Sequence, residues 1–346
     1  MKLRMLSAAV ILAALFTPAS AQDSLTVVSW GGAYQDSVRK AFFEPFMKET
    51  GDKVIEEEFN GEIAKIRAMV ETNNVTWDVV ENDSMTTMAA CAEGIVEKID
   101  WDKLGLKRDD FISADASECV VPSILYATVV AYDTTKLTDP PTSITALFDL
   151  EKYPGKRGLQ KTPFVNLEWA LIADGVPVGE VYDVLSTPEG VDRAFAKLDT
   201  IKKDVVWWEA GAQPPQMLVD GQVVLTSAWN GRIYKAAQED KKPFAILWDH
   251  QALDWQGWNI VSGSKNREAA YKFIAFAGRA DRQADQTKYI SYGPGNKLSI
   301  PDINPEILPH LPTNPENMKT GFIINAKFWA DNLDSLRERF NVWVAQ

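Results

Sequence analysis

Short runs of β-branched and apolar residues alternate with longer amphipathic runs along almost the whole chain, and this alternation restricts the possible folds more than any other feature. Leu25-Thr26-Val27-Val28-Ser29 reads as a buried strand. After Gly31-Gly32, the residues Val38, Ala41, Phe42, Phe46 and Met47 line one face of a helix that ends near Gly51. Lys53-Val54-Ile55-Glu56 is a second strand, and residues 63–72 form a helix with Ile63, Ile66, Met69 and Val70 inward. Trp77-Asp78-Val79-Val80 is a third strand, with a helix over residues 85–93. Three such units in succession predict an α/β fold with a largely parallel sheet covered by helices.

The pattern persists downstream. Val129-Val130-Ala131-Tyr132 is a strand, followed by the rigid segment Asp139-Pro140-Pro141-Thr142. Helices are expected over 165–173, 188–203, 232–239 and 267–279, and strands over 223–225, 244–248 and 258–261. Residues 301–315, rich in proline, read as an extended connection, and residues 322–340 as helices. A chain of 346 residues exceeds one ordinary core, so two lobes are expected. No Ser/Gly linker separates them, so the chain should cross by short strands, first near Tyr132.

The N-terminus sets the compartment. Lys2 and Arg4 precede an apolar stretch from Ala8 to Phe16, and Pro18-Ala19-Ser20-Ala21 supplies small residues in the A-x-A pattern. Residues 1–21 therefore read as a secretory signal peptide, too short for a membrane span, and the mature chain as a soluble secreted protein. The formal charge of −12 becomes −14 without Lys2 and Arg4. That surface disfavours nucleic acid and anionic lipid as partners. Cys91 and Cys119 are the two cysteines, and an oxidising compartment favours their pairing. His250 and His310 are not at ligand spacing from them, so neither a metal site nor any cofactor is expected.

Ligands of open parallel sheets bind beyond the carboxyl ends of the strands. After the first strand stand Trp30 and Tyr34 around the paired glycines, either as flat cleft walls or as core aromatics of an ordinary turn. After the third come Glu81, able to pair with an ammonium, and Asp83 and Ser84, which equally suit a helix cap. After 223–225 come Trp229 and Arg232; the guanidinium suits a carboxylate or a surface position. Trp255 and Tyr292 complete the set. Aromatic residues recur at these strand ends, and an amine between such faces gains ~0.5–2 kcal/mol per contact.

The arrangement resembles the bacterial extracellular solute-binding proteins of spermidine/putrescine type. The likeness rests on the opening strand with Trp30 and Tyr34, on Phe46-Met47-Lys48-Glu49-Thr50-Gly51-Asp52-Lys53-Val54, on Trp77-Asp78-Val79-Val80 and on Glu93-Gly94-Ile95-Val96. Leu147-Phe148-Asp149-Leu150, Gly155-Lys156-Arg157-Gly158, Trp229-Asn230-Gly231 and Tyr292-Gly293-Pro294 extend it over the mature chain. It implies a two-lobed periplasmic binding protein fold, each lobe a central sheet flanked by helices, with a hinge between. Residues 22–131 with 257–300 would form one lobe and 132–256 with 301–346 the other. It further implies closure around a small amine-bearing solute and docking of a monomer to an inner-membrane ABC permease, with Trp30, Tyr34, Asp83, Ser84, Trp229, Trp255 and Tyr292 lining the cleft.

The chain departs from that pattern in charge. Lys161-Thr162-Pro163-Phe164-Val165 has no acid where polyamine binders commonly carry one, Gly257 replaces another, and Arg232 stands where a small residue is common. A ligand with one amine and one acid group, such as a γ-amino acid, suits this better than a polyamine: its carboxylate would sit on Arg232 and its ammonium near Glu81, Asp83 or Glu209. Two other classes compete. A secreted hydrolase lacks support, because the chain has neither a G-x-S-x-G elbow nor an H-E-x-x-H motif. A ferric-iron binder would need Tyr289 and Tyr292 to converge on one ion.

Overall fold

The computed structural model describes residues 24–137 and 139–346. The expected signal peptide lies outside them. Ten strands form one continuous sheet: β1 (Ser24–Ser29), β2 (Lys53–Glu58), β3 (Val79–Asp83), β4 (Val121–Asp133), β5 (Arg157–Gln160), β6 (Val205–Trp208), β7 (Leu225–Trp229), β8 (Phe244–Ile260), β9 (Gly293–Pro294) and β10 (Phe322–Ile323). The main order is β2-β1-β3-β8-β4-β7-β5-β6, with β9 on β4 and β10 on β8.

The expectation of a largely parallel sheet holds only at the two ends. There β1 runs parallel to β2 and β3, and β5 runs parallel to β6 and β7. The middle is antiparallel, because β4 pairs with β8 and β7, and β8 with β3. The cause is length. Residues 121–133 and 244–260 are single strands of 13 and 17 residues, where the sequence suggested the shorter strands 129–132, 244–248 and 258–261. These two long strands run through the centre of the sheet.

Two principal cores flank them. One gathers Leu25, Val27, Phe42, Phe46, Trp77, Trp258 and Phe273; the other gathers Leu147, Leu159, Trp169, Phe195, Trp329 and Phe340. The first helix is Gly32–Val38, continuing through a π-helical turn to Glu44–Thr50, and Gly51 ends it in the left-handed region, φ 79°. Residues 301–315 are not extended as expected: two 3₁₀ turns, Lys297–Asp302 and Leu308–His310, compact the segment, as short proline-containing stretches permit. The C-terminal end is a two-residue strand and one long helix, Ala326–Ala345. Cys91 and Cys119 form a disulfide that ties the helix Ser84–Ala92 to the approach to β4. Among the described residues, no helix is long and apolar enough to cross a membrane.

Candidate functional site

Where β3, β7 and the long strands meet, seven side chains converge on a small cavity of about 10 Å³, room for a single water: Trp30, Tyr34, Tyr126, Trp229, Arg232, Gln256 and Tyr292. Trp30, Tyr126 and Trp229 also line a larger cleft of about 310 Å³, whose walls include Asp83, Lys161, Glu209 and Arg337. The rings brace one another edge to face. Trp30 meets Trp229 at 5.7 Å between centroids, Trp229 meets Trp208 at 5.6 Å, and Tyr34 meets Tyr292 at 5.6 Å. The aromatic part of the walls is therefore preformed.

Arg232 is the cation of this cavity. It is buried, its Nη2 donates to the Trp30 carbonyl at 2.9 Å, and its guanidinium lies 5.1 Å from the Trp229 ring centre. Its Nε is buried with no hydrogen-bond partner among the described residues. Burial lowers its pKa from the ordinary arginine value. A guanidinium desolvated and incompletely paired in this way is costly, and a carboxylate would offset that cost. Two glycines make room for it. A Cβ on Gly32, φ 56°, would stand 2.9 Å from Nη1, and one on Gly211 would stand 2.6 Å from Nε. The Gly31-Gly32 pair thus gives space to a neighbouring side chain.

Acceptors lie around the same space. Gln256 Oε1 is buried without a partner among the described residues, and its amide presents a donor when turned over. The Tyr126 hydroxyl donates to Asp254 at 3.1 Å. Burial, with the nearby charge of Asp83 second, pushes Asp254 up to about 7. Burial also raises Asp83, which accepts from Thr86 N at 2.8 Å and so caps the helix Ser84–Ala92 while also facing the larger cleft. Ser84 begins that helix, fully buried, and faces Asp254. Two buried carboxyls therefore share one region, and neither forms a salt bridge among the described residues.

Of the residues singled out from the sequence, Trp30, Tyr34, Trp229, Arg232 and Tyr292 come together around the cavity, and Asp83 lines the adjoining cleft. Two sit elsewhere. Because residues 254–257 continue β8, alternate side chains face opposite ways; Trp255 packs with Leu125, Val129 and Leu253 on the far face, while Gln256 reaches the cavity. Glu81 does not line the cavity. It lies fully buried behind Tyr34, accepting from Tyr34 Oη at 2.6 Å, Ser29 Oγ at 3.0 Å and Ser123 Oγ at 2.5 Å. Glu209 reaches the larger cleft and is paired with Lys161 at 3.1 Å. Tyr289 lies under the Lys40 ammonium, 5.3 Å from its ring centre, whereas Tyr292 faces the cavity, so the two phenols do not converge on one ion. Tyr126, Asp254 and Gln256 were not foreseen. An alternation reading of residues 252–258, with polar Asp254 and Gln256 on one face, would have found two of them.

Comparison with known proteins bears on this site. Residues 41–313 match the family model of bacterial extracellular solute-binding proteins. A gamma-aminobutyric acid-binding protein of Pseudomonas aeruginosa is 43% identical over 324 residues, 94% of this chain and 92% of that one. The solved structure of a GABA receptor, Atu4243, superposes with a TM-score of 0.83 at 34% identity, covering 94% of this chain and 98% of its own. A spermidine/putrescine-binding periplasmic protein of Salmonella typhimurium is 26% identical over 303 residues, 84% of this chain and 82% of that one.

Proposed function

The chain belongs to the bacterial extracellular solute-binding proteins, and on that premise we propose that it is the periplasmic solute-binding component of an ABC importer whose ligand is a short amino acid of γ-aminobutyrate type. One observation carries the ligand class: a buried arginine with an unpartnered Nε forms the wall of an aromatic cavity. The ligand carboxylate takes Arg232, and its methylene chain lies among Trp30, Tyr126 and Trp229. The ammonium points toward the carboxyl pair Asp83 and Asp254. A diamine fits this charge pattern less well, because one of its ammonium groups would face the guanidinium and leave Nε unpaired.

The same proposal includes a signal peptide over residues 1–21 and lobes of 22–131 with 257–300 and 132–256 with 301–346. No covalent step is involved. Arg232 bonds to the Trp30 carbonyl across the cleft, so ligand and protein both join the lobes in the closed form. Binding favours closure by the ligand's greater affinity for that form, and an inner-membrane permease reads the closed monomer.

Thermal-shift measurement with γ-aminobutyrate tests the reading. The parent protein rises in Tm with ligand concentration, as expected when only the folded state binds. Arg232→Met, of similar length and without charge, abolishes the shift while leaving the ligand-free Tm within a few degrees. An undiminished shift in that variant contradicts the assignment.

A further inference from the structure

Glu81 poses a problem that ligand contact does not solve. Its side chain has no exposure, no cation pairs with it among the described residues, and three hydroxyls from three elements point at it: Ser29 from β1, Tyr34 from the helix Gly32–Val38 and Ser123 from β4. Its β8 neighbour in register is Trp258. Its backbone carbonyl accepts from Trp30 Nε1 at 2.7 Å, so this one residue holds two walls of the ligand cavity. The titratable groups toward the cavity are Tyr34 and Tyr292, and the phenol of Tyr292 lies against the Arg232 guanidinium.

One hydroxyl has an alternative. Ser123 Oγ is 2.5 Å from Glu81 Oε1 and also 3.1 Å from the Gln256 carbonyl oxygen. A proton added to Oε1 can be donated to Ser123 Oγ, while the serine turns its own proton to Gln256. Tyr34 keeps donating to Oε1 throughout. The carboxyl can therefore change its charge without releasing the cavity wall.

We propose that Glu81 is a positioning residue that takes up one proton from solvent as a carboxylate-bearing ligand enters the cavity, with Ser123 switching its hydrogen bond to Gln256. The inference rests on the carboxylate-at-Arg232 reading: that negative charge arrives beside Tyr34, one phenol away from Glu81, and disfavours a second anion there. Burial already pushes Glu81 up to about 7, so a modest further rise changes its protonation near neutral pH.

Titration calorimetry with γ-aminobutyrate, in buffers of different ionisation enthalpy at pH 7.5, counts the protons exchanged. Asp254 contributes release of the opposite sign in every variant, so the comparison between proteins isolates Glu81. The parent takes up more protons per ligand than Glu81→Gln, by a sizeable fraction of one, and the difference shrinks at pH 5.5, where Glu81 is already protonated. Ser123→Ala moves the count toward that of Glu81→Gln. Equal counts in the parent and Glu81→Gln overturn the inference and leave the functional reading standing. Should Glu81→Gln not bind, a Ser123→Ala count equal to the parent's overturns it. Absence of γ-aminobutyrate binding by the parent overturns both.

Discussion

Arg232 reaches its position because Gly211 and Gly32 lack side chains. A Cβ at position 211 would stand 2.2 Å from Trp229 Cζ3 as well as 2.6 Å from Arg232 Nε. Gly211→Ala must therefore push the indole or the guanidinium out of place. Overpacking of this kind costs about 1–3 kcal/mol. Ligand affinity should fall about ten- to hundredfold, with a small change in Tm; unchanged affinity by calorimetry would show that neither group holds the ligand. Arg232 was legible in the sequence as a cation after a predicted strand. Its glycine neighbours were not, because the close approach of residue 211 depends on tertiary packing. Glu81 shows the opposite failure: the expectation of an acid near the cleft holds, but three hydroxyls already occupy its oxygens.

At the scale of elements, β4 and β8 explain most of the difference between expectation and structure. Amphipathic period and turn residues identify the helices and the short outer strands well. Interior strands buried on both faces carry no apolar-to-polar boundary at their ends, so only 129–132, 244–248 and 258–261 were read out of the strands 121–133 and 244–260. Trp255 was misplaced for this reason: a residue taken to stand at a strand end is a mid-strand residue aimed at the opposite face. Gly257, a missing acid when judged against polyamine binders, has a packing role. It pairs with Asn82 on one side and Pro122 on the other, and a Cβ there would meet Val120 Cγ2 at 2.3 Å and Val121 O at 2.7 Å. Gly257→Ala should destabilise the fold by about 1–3 kcal/mol, since backbone must move. A Tm equal to the parent's would mean the β4–β8 spacing is loose.

Among the described residues, three of the buried carboxyls, Glu81, Glu168 and Asp254, are each pushed up by burial to about 7. Their unfolded forms ionise near pH 4. Between that value and 7 the folded state holds protons that the unfolded state releases, so stability falls as pH rises. The stabilisation is complete below the unfolded pKa and lost through pH 7, of order 3 kcal/mol for each group. The ligand-free Tm should be higher at pH 5 than at pH 8. Glu168 takes donors from Tyr182 and Trp329 while its Oε2 has no partner among the described residues, and it lies away from the cavity. Glu168→Gln should therefore raise Tm at pH 8 and barely alter it at pH 5; a rise of equal size at both values contradicts the burial argument.

The cavity and the adjoining cleft are polarised from the Arg232 guanidinium to the carboxyls of Asp83 and Asp254, and that polarity is what the functional reading depends on. Calorimetric titration of the mature protein with γ-aminobutyrate and, separately, with putrescine tests it most directly, since the two chains are equally long and differ in one terminal charge. The account predicts one-to-one binding of the amino acid at least a hundredfold tighter than of the diamine, a difference of about 2.7 kcal/mol. Putrescine binding as tightly as γ-aminobutyrate would contradict it.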